Sequence, residues 1–321
     1  MIQDNRPTPL PIICLGGVVM DILIRPLPQL PLPGSSTAVE TISLVVGGCA
    51  ANTAIALAQL DLPVGIWARV GQDALGDLLK QQLLSAGVTA DLFIQDPTLA
   101  TKAVALLVGP DGDRRLLRGP GLSNALSPLD LANLNLQGLG WLHIGGLYSL
   151  RRLLGAELAS LLVQAQDAGV ITSLDTVWTH DNNWQALLPL LPHLNYVMPS
   201  LAEAQQISGA EDPETILAFL LERGAKTVIL KLGEAGSMLG TGNQRLKIPA
   251  YPVTAVVDTT GAGDAFCAGF IAARSFGLDL EQAMNWGNAC GALTVQVSGA
   301  NSGFTGRAQI EALVKVYSCP S

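Results

Sequence analysis

Short apolar runs alternate along this chain with longer stretches of helical spacing. PIICLGGV (11–18), VGIWARV (64–70), GWLHIGG (140–146), VITSLD (170–175), LNYVMP (194–199) and KTVILKL (226–232) predict strands. Between them, 50–60, 74–86, 152–168, 201–208 and 213–223 carry apolar residues three and four apart, which predicts helices. Near the C-terminus, 263–276 and 280–297 are mostly apolar and predict two largely buried helices. Strands alternating with helices in this way imply a mostly parallel sheet flanked by helices, an α/β class.

Two segments break the rhythm. Residues 22–46 open on the Pro-rich PLPQLPLPGSST and end on the β-like AVETISLVV. KAVALLVGPDGDRRLLR, ending at Arg118, places two short runs around Asp111-Gly112-Asp113, a hairpin signature. Together, about 20–46 and 100–119 predict a small β lid inside a single domain spanning 1–321. Leu44, Val46, Val104 and Leu106 are expected to supply its one apolar face.

Composition narrows the class. Hydrophobic residues make up 49% and charged residues 14% of 321, which excludes a disordered chain. A net charge of −8 speaks against nucleic acid or an anionic membrane as partner. Mean hydropathy is +0.39, yet the long uncharged run 282–306 holds Asn285, Asn288, Asn301 and five glycines, so no spanning helix is expected. The N-terminus carries an early acid and three prolines with no cleavage site, so no signal peptide is expected either. Five scattered cysteines without C-x-x-C, and three histidines without a helical pair, give little support to zinc or haem. Reduced thiols in a cytoplasmic protein are the expectation.

The chemistry concentrates in VVDTTGAGDAFCAGFIAAR (256–274). Gly261, Ala262 and Gly263 stand where a strand-like run meets an apolar helix. Backbone amides there turn toward one point, and the helix N-terminus adds partial positive charge, so the segment forms an anion site. Asp264 follows directly. A lone carboxylate there suits a helix cap, and beside a bound phosphate it would compete; with the glycine nest it makes sense as the base for a hydroxyl that attacks the phosphoryl group beside it. The spacing fits neither a dinucleotide fingerprint nor a P-loop, and no G-x-S-x-G is present.

DTTGAGDAFCAGF closely resembles the C-terminal signature of the ribokinase-like (PfkB) carbohydrate and nucleoside kinases. GGCAANTAIALAQLDLPVGIWARVGQDALGD (47–77) resembles that family's other signature, with Gly71, Asp73 and Gly76 as its G-x-D-x-x-G. The resemblance runs from Gly16 to about Gly306. It implies a three-layer ribokinase-like sandwich with a mostly parallel central sheet and a small β-sheet lid.

The resemblance also assigns roles. It makes Asp264 the catalytic base and the 261–263 amides the anion hole. Asp21, Gly47, Gly48 and Asn52 would hold the sugar, although Asn52 also suits a helix cap. VMPSLAEAQQISG (197–209) matches a region that places Mg2+ through water, with Glu203 as the acid and Ser200 where asparagine is usual; Glu203 equally suits a surface helix start. Lys231, Gly233 and Gly236 would pass under the nucleotide phosphates, though the glycines equally suit a turn. Asn288 would lie near adenine. Asp258 and Thr260 match positions that hold a monovalent cation such as K+, while Gly303 stands where potassium-activated members carry serine. Of a D-x-N-x-R region only Asp175 is kept, with Val177 and Thr179 at the other positions; Trp178 suits packing or stacking.

The activity implied is transfer of the γ-phosphoryl group of MgATP to a hydroxyl of a sugar or polyol. A nucleoside is the alternative acceptor, as is a phosphosugar gripped by Arg114, Arg115 and Arg118, although these arginines better suit a solvated hairpin. A catalytically silent sugar- or nucleotide-binding regulator is the alternative of another class. The lid would close to exclude water; monomer and homodimer through the lid are both left open.

Overall fold

The computed structural model describes residues 9–110, 114–131, 134–179, 181–301 and 303–318. The chain begins with β1 (Ile12–Gly16), then leaves the main sheet for β2 (Val19–Arg25) and β3 (Thr41–Gly47). It returns through α1 (Cys49–Gln59) to β4 (Val64–Gly71), α2 (Ala74–Ser85) and β5 (Thr89–Asp96). A second excursion, β6 (Ala103–Val108) and β7 (Arg114–Arg118), precedes the short α3 (Pro128–Leu131). Next come β8 (Trp141–Gly145), α4 (Ala156–Asp167), β9 (Ile171–Leu174), β10 (Tyr196–Val197), α5 (Leu201–Ser208) and α6 (Pro213–Glu222). The chain finishes with β11 (Val228–Lys231), β12 (Ser237–Gly240), β13 (Arg245–Ile248), α7 (Ala262–Ser275), α8 (Leu280–Thr294) and α9 (Arg307–Ser318).

Among the described residues, nine strands form the main sheet in the order β13-β12-β11-β10-β9-β8-β1-β4-β5. All pairings from β11 through to β5 are parallel, and β12 and β13 close one edge antiparallel. β1 is apolar throughout because it is covered on both faces: Ile12 and Cys14 pack into one core layer and Leu15 into the other. The chain order reverses around β1, which pairs with β4 on one side and β8 on the other. Ligands of open α/β sheets bind beyond the carboxyl ends of strands at such a reversal. Here those ends deliver Gly17, Asp175, Ser200 and Lys231 to one region.

The small sheet has the order β3-β2-β6-β7 and its strands lie within 19–47 and 103–118, as the sequence predicts. The hairpin tip at 111–113 lies outside the described residues. One expectation is corrected. Register puts Asp21 beside Val45 and Val104, and Ile22 beside Leu44 and Ala105. Side chains alternate between faces, so Val104 and Leu106 share the face of Asp21 while Leu44 and Val46 lie on the other. The sheet is therefore apolar on both faces.

Other differences have local causes. Residues 184–193 form a 3-10 helix, because Pro189 and Pro192 interrupt α-helical bonding; Trp184, Leu187 and Leu190 are buried at its three-residue period. The fourth helix starts at Ala156 rather than 152, behind Gly155 at φ 112°. The strand predicted over 194–199 shrinks to two residues ahead of Pro199. β5, β13 and α9 carry more polar residues than the predicted elements and were not among them.

His143, on β8, is fully buried; its Nδ1 meets Ser173 Oγ at 2.8 Å, and Nε2 has no partner among the described residues. Burial first, and then the Lys231 ammonium, push its pKa down to about 3. The unfolded chain therefore takes this proton first. Stability is complete above the free value of about 6.5 and is lost as pH falls toward 3. Urea midpoints of wild type and His143→Leu at pH 7 and 4.5 should show the larger acid loss in wild type. Equal losses would discard His143 as the source.

Candidate active site

A cavity of about 770 Å³ opens between the small sheet and the carboxyl ends of the main strands. Of the residues singled out from sequence, Asp21, Gly48, Asn52, Thr260, Gly261 and Asp264 line it. The small sheet supplies Val19, Asp21, Val104, Leu106, Leu116 and Arg118, the face defined by its register.

Two helix N-termini meet here. α7 begins at Ala262 behind Gly261, whose φ of 77° and close approach to Ala300 leave no room for a side chain. α1 begins behind Gly48, at φ 97°, where a Cβ would stand 2.4 Å from the Gly17 carbonyl oxygen. No side chain caps α1, so Asn52 is not its cap. Instead Asn52 Nδ2 donates to Asp264 Oδ2 at 2.8 Å, and Thr53 Oγ1 donates to the Asp264 carbonyl at 3.4 Å. Asn52 Oδ1 is buried without a partner among the described residues. That oxygen accepts only, so a ligand hydroxyl suits it.

Burial raises Asp264 to about 6; the Asn52 hydrogen bond and the Lys231 ammonium hold it from going higher. Burial also pushes Asp21 up to about 6. Gly47 makes room for that carboxylate: a Cβ there would sit 2.0 Å from Asp21 Oδ2.

Lys231 lies behind the first turn of α7 rather than in the cavity wall. A Cβ on Gly263 would stand 3.2 Å from its Nζ, which donates to Asp175 Oδ1 at 2.6 Å. Burial works against the ammonium form, but the Asp175 carboxylate outweighs it and raises Lys231. Glu203 is buried, not on the surface. Its Oε2 accepts from Ser200 Oγ at 2.6 Å, Ser200 N at 3.0 Å and Thr176 Oγ1 at 2.7 Å, closing a capping box at the start of α5.

The remaining candidates sit elsewhere. Asn288 Nδ2 donates to the carbonyls of Ile248 and Pro249. Gly233 and Gly236 take φ of 61° and 90°, and a Cβ on Gly236 would strike the Ile248 carbonyl, so each serves the turn before β12. Asp258 accepts from the amides of Thr260 and Gly299, tying two loops together. A Cβ on Gly303 would come within 2.4 Å of Thr294 Cα, so glycine is what this packing admits. Trp178 packs edge-on against Trp184. Sequence reasoning passed over the Asp175–Lys231 pair and the cavity residues Cys49, Ser123 and Ser149. Asp175 carried a signal, since it follows β9 directly at a strand's carboxyl end.

Known proteins share this fold. The pfkB family carbohydrate kinase model matches residues 11–305. A 2-dehydro-3-deoxygluconokinase from Bacillus subtilis (strain 168) is 30% identical over 289 residues, 85% of this chain and 87% of its own. An ATP-dependent ribose-1-phosphate kinase from Halopiger xanaduensis is 30% identical over 296 residues, 91% and 94% of the two chains. Arabidopsis thaliana ribokinase, solved with ribose and ATP, is 27% identical and matches 96% of this chain and 99% of its own with a TM-score of 0.79. An E. coli chain solved with ATP and Mg2+ is 26% identical, with a TM-score of 0.82 over 96% and 99% of the chains. By its matching residues, its two sheets and its cavity, the chain belongs to the PfkB family of carbohydrate kinases.

Proposed function

We propose that this chain transfers the γ-phosphoryl group of MgATP to a hydroxyl of a sugar or related polyol. The observation that carries this reading is Asp264, a buried carboxylate at the start of α7, fixed by Asn52 and sharing one cavity with Asp21. Asp21 accepts from sugar hydroxyls and Asn52 Oδ1 takes another, which orients the reacting oxygen. Asp264 receives the hydroxyl proton as that oxygen bonds to phosphorus, and ADP leaves with the bridging oxygen. The amides of 261–263 and the α7 N-terminus stabilise the charge on the transferring group. Lys231, held by Asp175, adds positive charge beneath them.

The donor set suits Mg2+, which in such chemistry is held by phosphates, water and one or two carboxylates. Glu203, with Ser200, would hold its water; when bound it neutralises phosphate charge. Asp258 and Thr260 we assign to bracing the 258–261 loop, with a K+ site there as the alternative. A sugar is favoured over a nucleoside because no aromatic residue lines the cavity among the described residues. The relatives' names include ribose, ribose 1-phosphate, fructoselysine and 2-dehydro-3-deoxygluconate forms of the activity, supporting the class without choosing one acceptor. A silent regulator would have no use for Asp264. Among the described residues the free thiols Cys14, Cys49, Cys267 and Cys290 suit a reducing cytoplasm.

The small sheet serves as the lid. Its outer face exposes Ile42 at 68% and Leu117 at 62%, and a second copy of the same face would cover them.

Replacing Asp264 with Asn should keep the fold and ATP binding but lower kcat by roughly 10²–10⁴-fold. Near-normal turnover in that variant, measured by coupled ADP release, would reduce Asp264 to a helix-capping role.

The pH profile gives a second test. Asp21 and Asp264 must both be ionised, and burial lifts each to about 6. Log kcat/KM should therefore fall below pH 6 with a limiting slope of about two, and of about one in Asp21→Asn. A slope of one in wild type would remove one carboxylate from the mechanism.

Closure of the lid is read by hydrogen exchange. Amides of the small-sheet strands should gain protection when a substrate sugar binds. Unchanged protection at saturation would mean that the sheet is fixed and does not gate the site.

A further inference from the structure

One face of the first turn of α1 points at the start of α7. Asn52 reaches Asp264 Oδ2 at 2.8 Å, and Thr53 reaches the Asp264 carbonyl at 3.4 Å. Residues three and four apart share a helix face, so Cys49, the first residue of α1, stands in the same row. Cys49, Asn52 and Asp264 all line the cavity, and Asn52, 5% exposed, keeps Oδ1 without a partner there among the described residues. The thiol fits a corner that glycine leaves open after β8. A Cβ on Gly146 would stand 3.1 Å from Cys49 Sγ and 3.4 Å from Val177 Cγ1. Gly146 also takes φ 75°, so backbone and thiol both call for glycine.

Cys49 is a donor here and not a nucleophile. Burial first, and then the Asp264 and Asp175 carboxylates, raise the thiol well above its ordinary range; Glu203 adds to them and Lys231 opposes. A thiol that keeps its proton donates weakly to a neighbouring carboxylate. Asp264 registers such a donor: burial raises its carboxyl, while the Asn52 amide, the Lys231 ammonium and the Cys49 thiol lower it. Other charged or titratable groups surround Asp264. Asp175 follows β9, Glu203 lies in α5 and Lys231 ends β11. Asp21 and Arg118 line the cavity from the small sheet, and Cys267 lies one turn further along α7. The side-chain hydrogen bonds to the carboxylate come from Asn52 and Cys49, both on one turn of α1. Two donors fix the rotation of a carboxylate where one leaves it free to swing. A thiol does so with less loss of basicity than a hydroxyl, and a base works best with its pKa near the working pH.

We propose that Cys49 is a positioning residue for the base: its thiol donates to the Asp264 carboxylate and, with the Asn52 amide, sets the rotation in which one carboxylate oxygen faces the acceptor hydroxyl. This rests on the sugar-kinase reading and adds a residue to it.

The acid limb of log kcat/KM tests it, read in the Asp21→Asn background so that the limb reports Asp264. Cys49→Ala removes a donor to the carboxylate, so the limb should move up by roughly 0.3–1 in pH. Cys49→Ser supplies a stronger donor and should move it down. On the plateau, Cys49→Ala should lower kcat by roughly threefold to thirtyfold, with the KM for sugar and ATP within about twofold. Limbs that coincide in all three chains, or a loss confined to the sugar KM, would make Cys49 a cavity wall and overturn the proposal. Infrared absorption of the S–H group reads the contact without turnover. The band that Cys49→Ala or Cys49→Ser removes should shift as Asp264 ionises, and should stay fixed with pH in Asp264→Asn. A band indifferent to pH in wild type would overturn the contact. A band that shifts in a chain phosphorylating no sugar would uphold the contact and defeat the kinase reading.

Discussion

Three carboxylates, those of Asp175, Glu203 and Asp264, are buried around one ammonium group, and the structure is arranged to make that tolerable. An ion in a low-dielectric interior is costly unless it is paired and fully hydrogen-bonded. Asp175 has Lys231 at 2.6 Å, Glu203 has the hydroxyls of Ser200 and Thr176, and Asp264 has the amide of Asn52. Removing Lys231 would leave the acids uncompensated in the interior. In the proposed reaction the same ammonium would also face the transferring phosphate.

That position follows from the sheet. Parallel strands end together, and the reversal around β1 separates the helices that would otherwise close over those ends. α1 and α7 then aim their N-termini into the gap, each admitted by a glycine with positive φ. Positive helix ends thus stand beside buried carboxylates, the arrangement that the proposed transfer of a phosphoryl group calls for.

The small sheet adds what the main sheet does not. It leaves from the end of β1 and rejoins at α1, so Asp21 and the glycine pair at 47–48 arrive at the cavity on one continuous piece of chain. Its two apolar faces have separate uses. One walls the cavity, and the other stands outward with Ile42 and Leu117 exposed.

Periodicity and glycine placement determined much of this protein in advance. The parallel strands, most of the helices and the small sheet were legible because apolar spacing is a local property. The start of α7 beside the cavity was legible because Gly261, Ala262, Gly263 and Asp264 are consecutive and a helix start follows from the residues around it. Partnerships were not legible. Asn52 reaches Asp264 across 212 residues and Lys231 reaches Asp175 across 56, and neither spacing carries a local signal. The faces of the small sheet were misassigned for the same reason: a strand's own alternation says which residues go together, but only pairing with its neighbours says which neighbouring residues join them. Sequence determined what each segment is, and the tertiary structure decided which side chains meet, because contact between distant segments is fixed by packing and register.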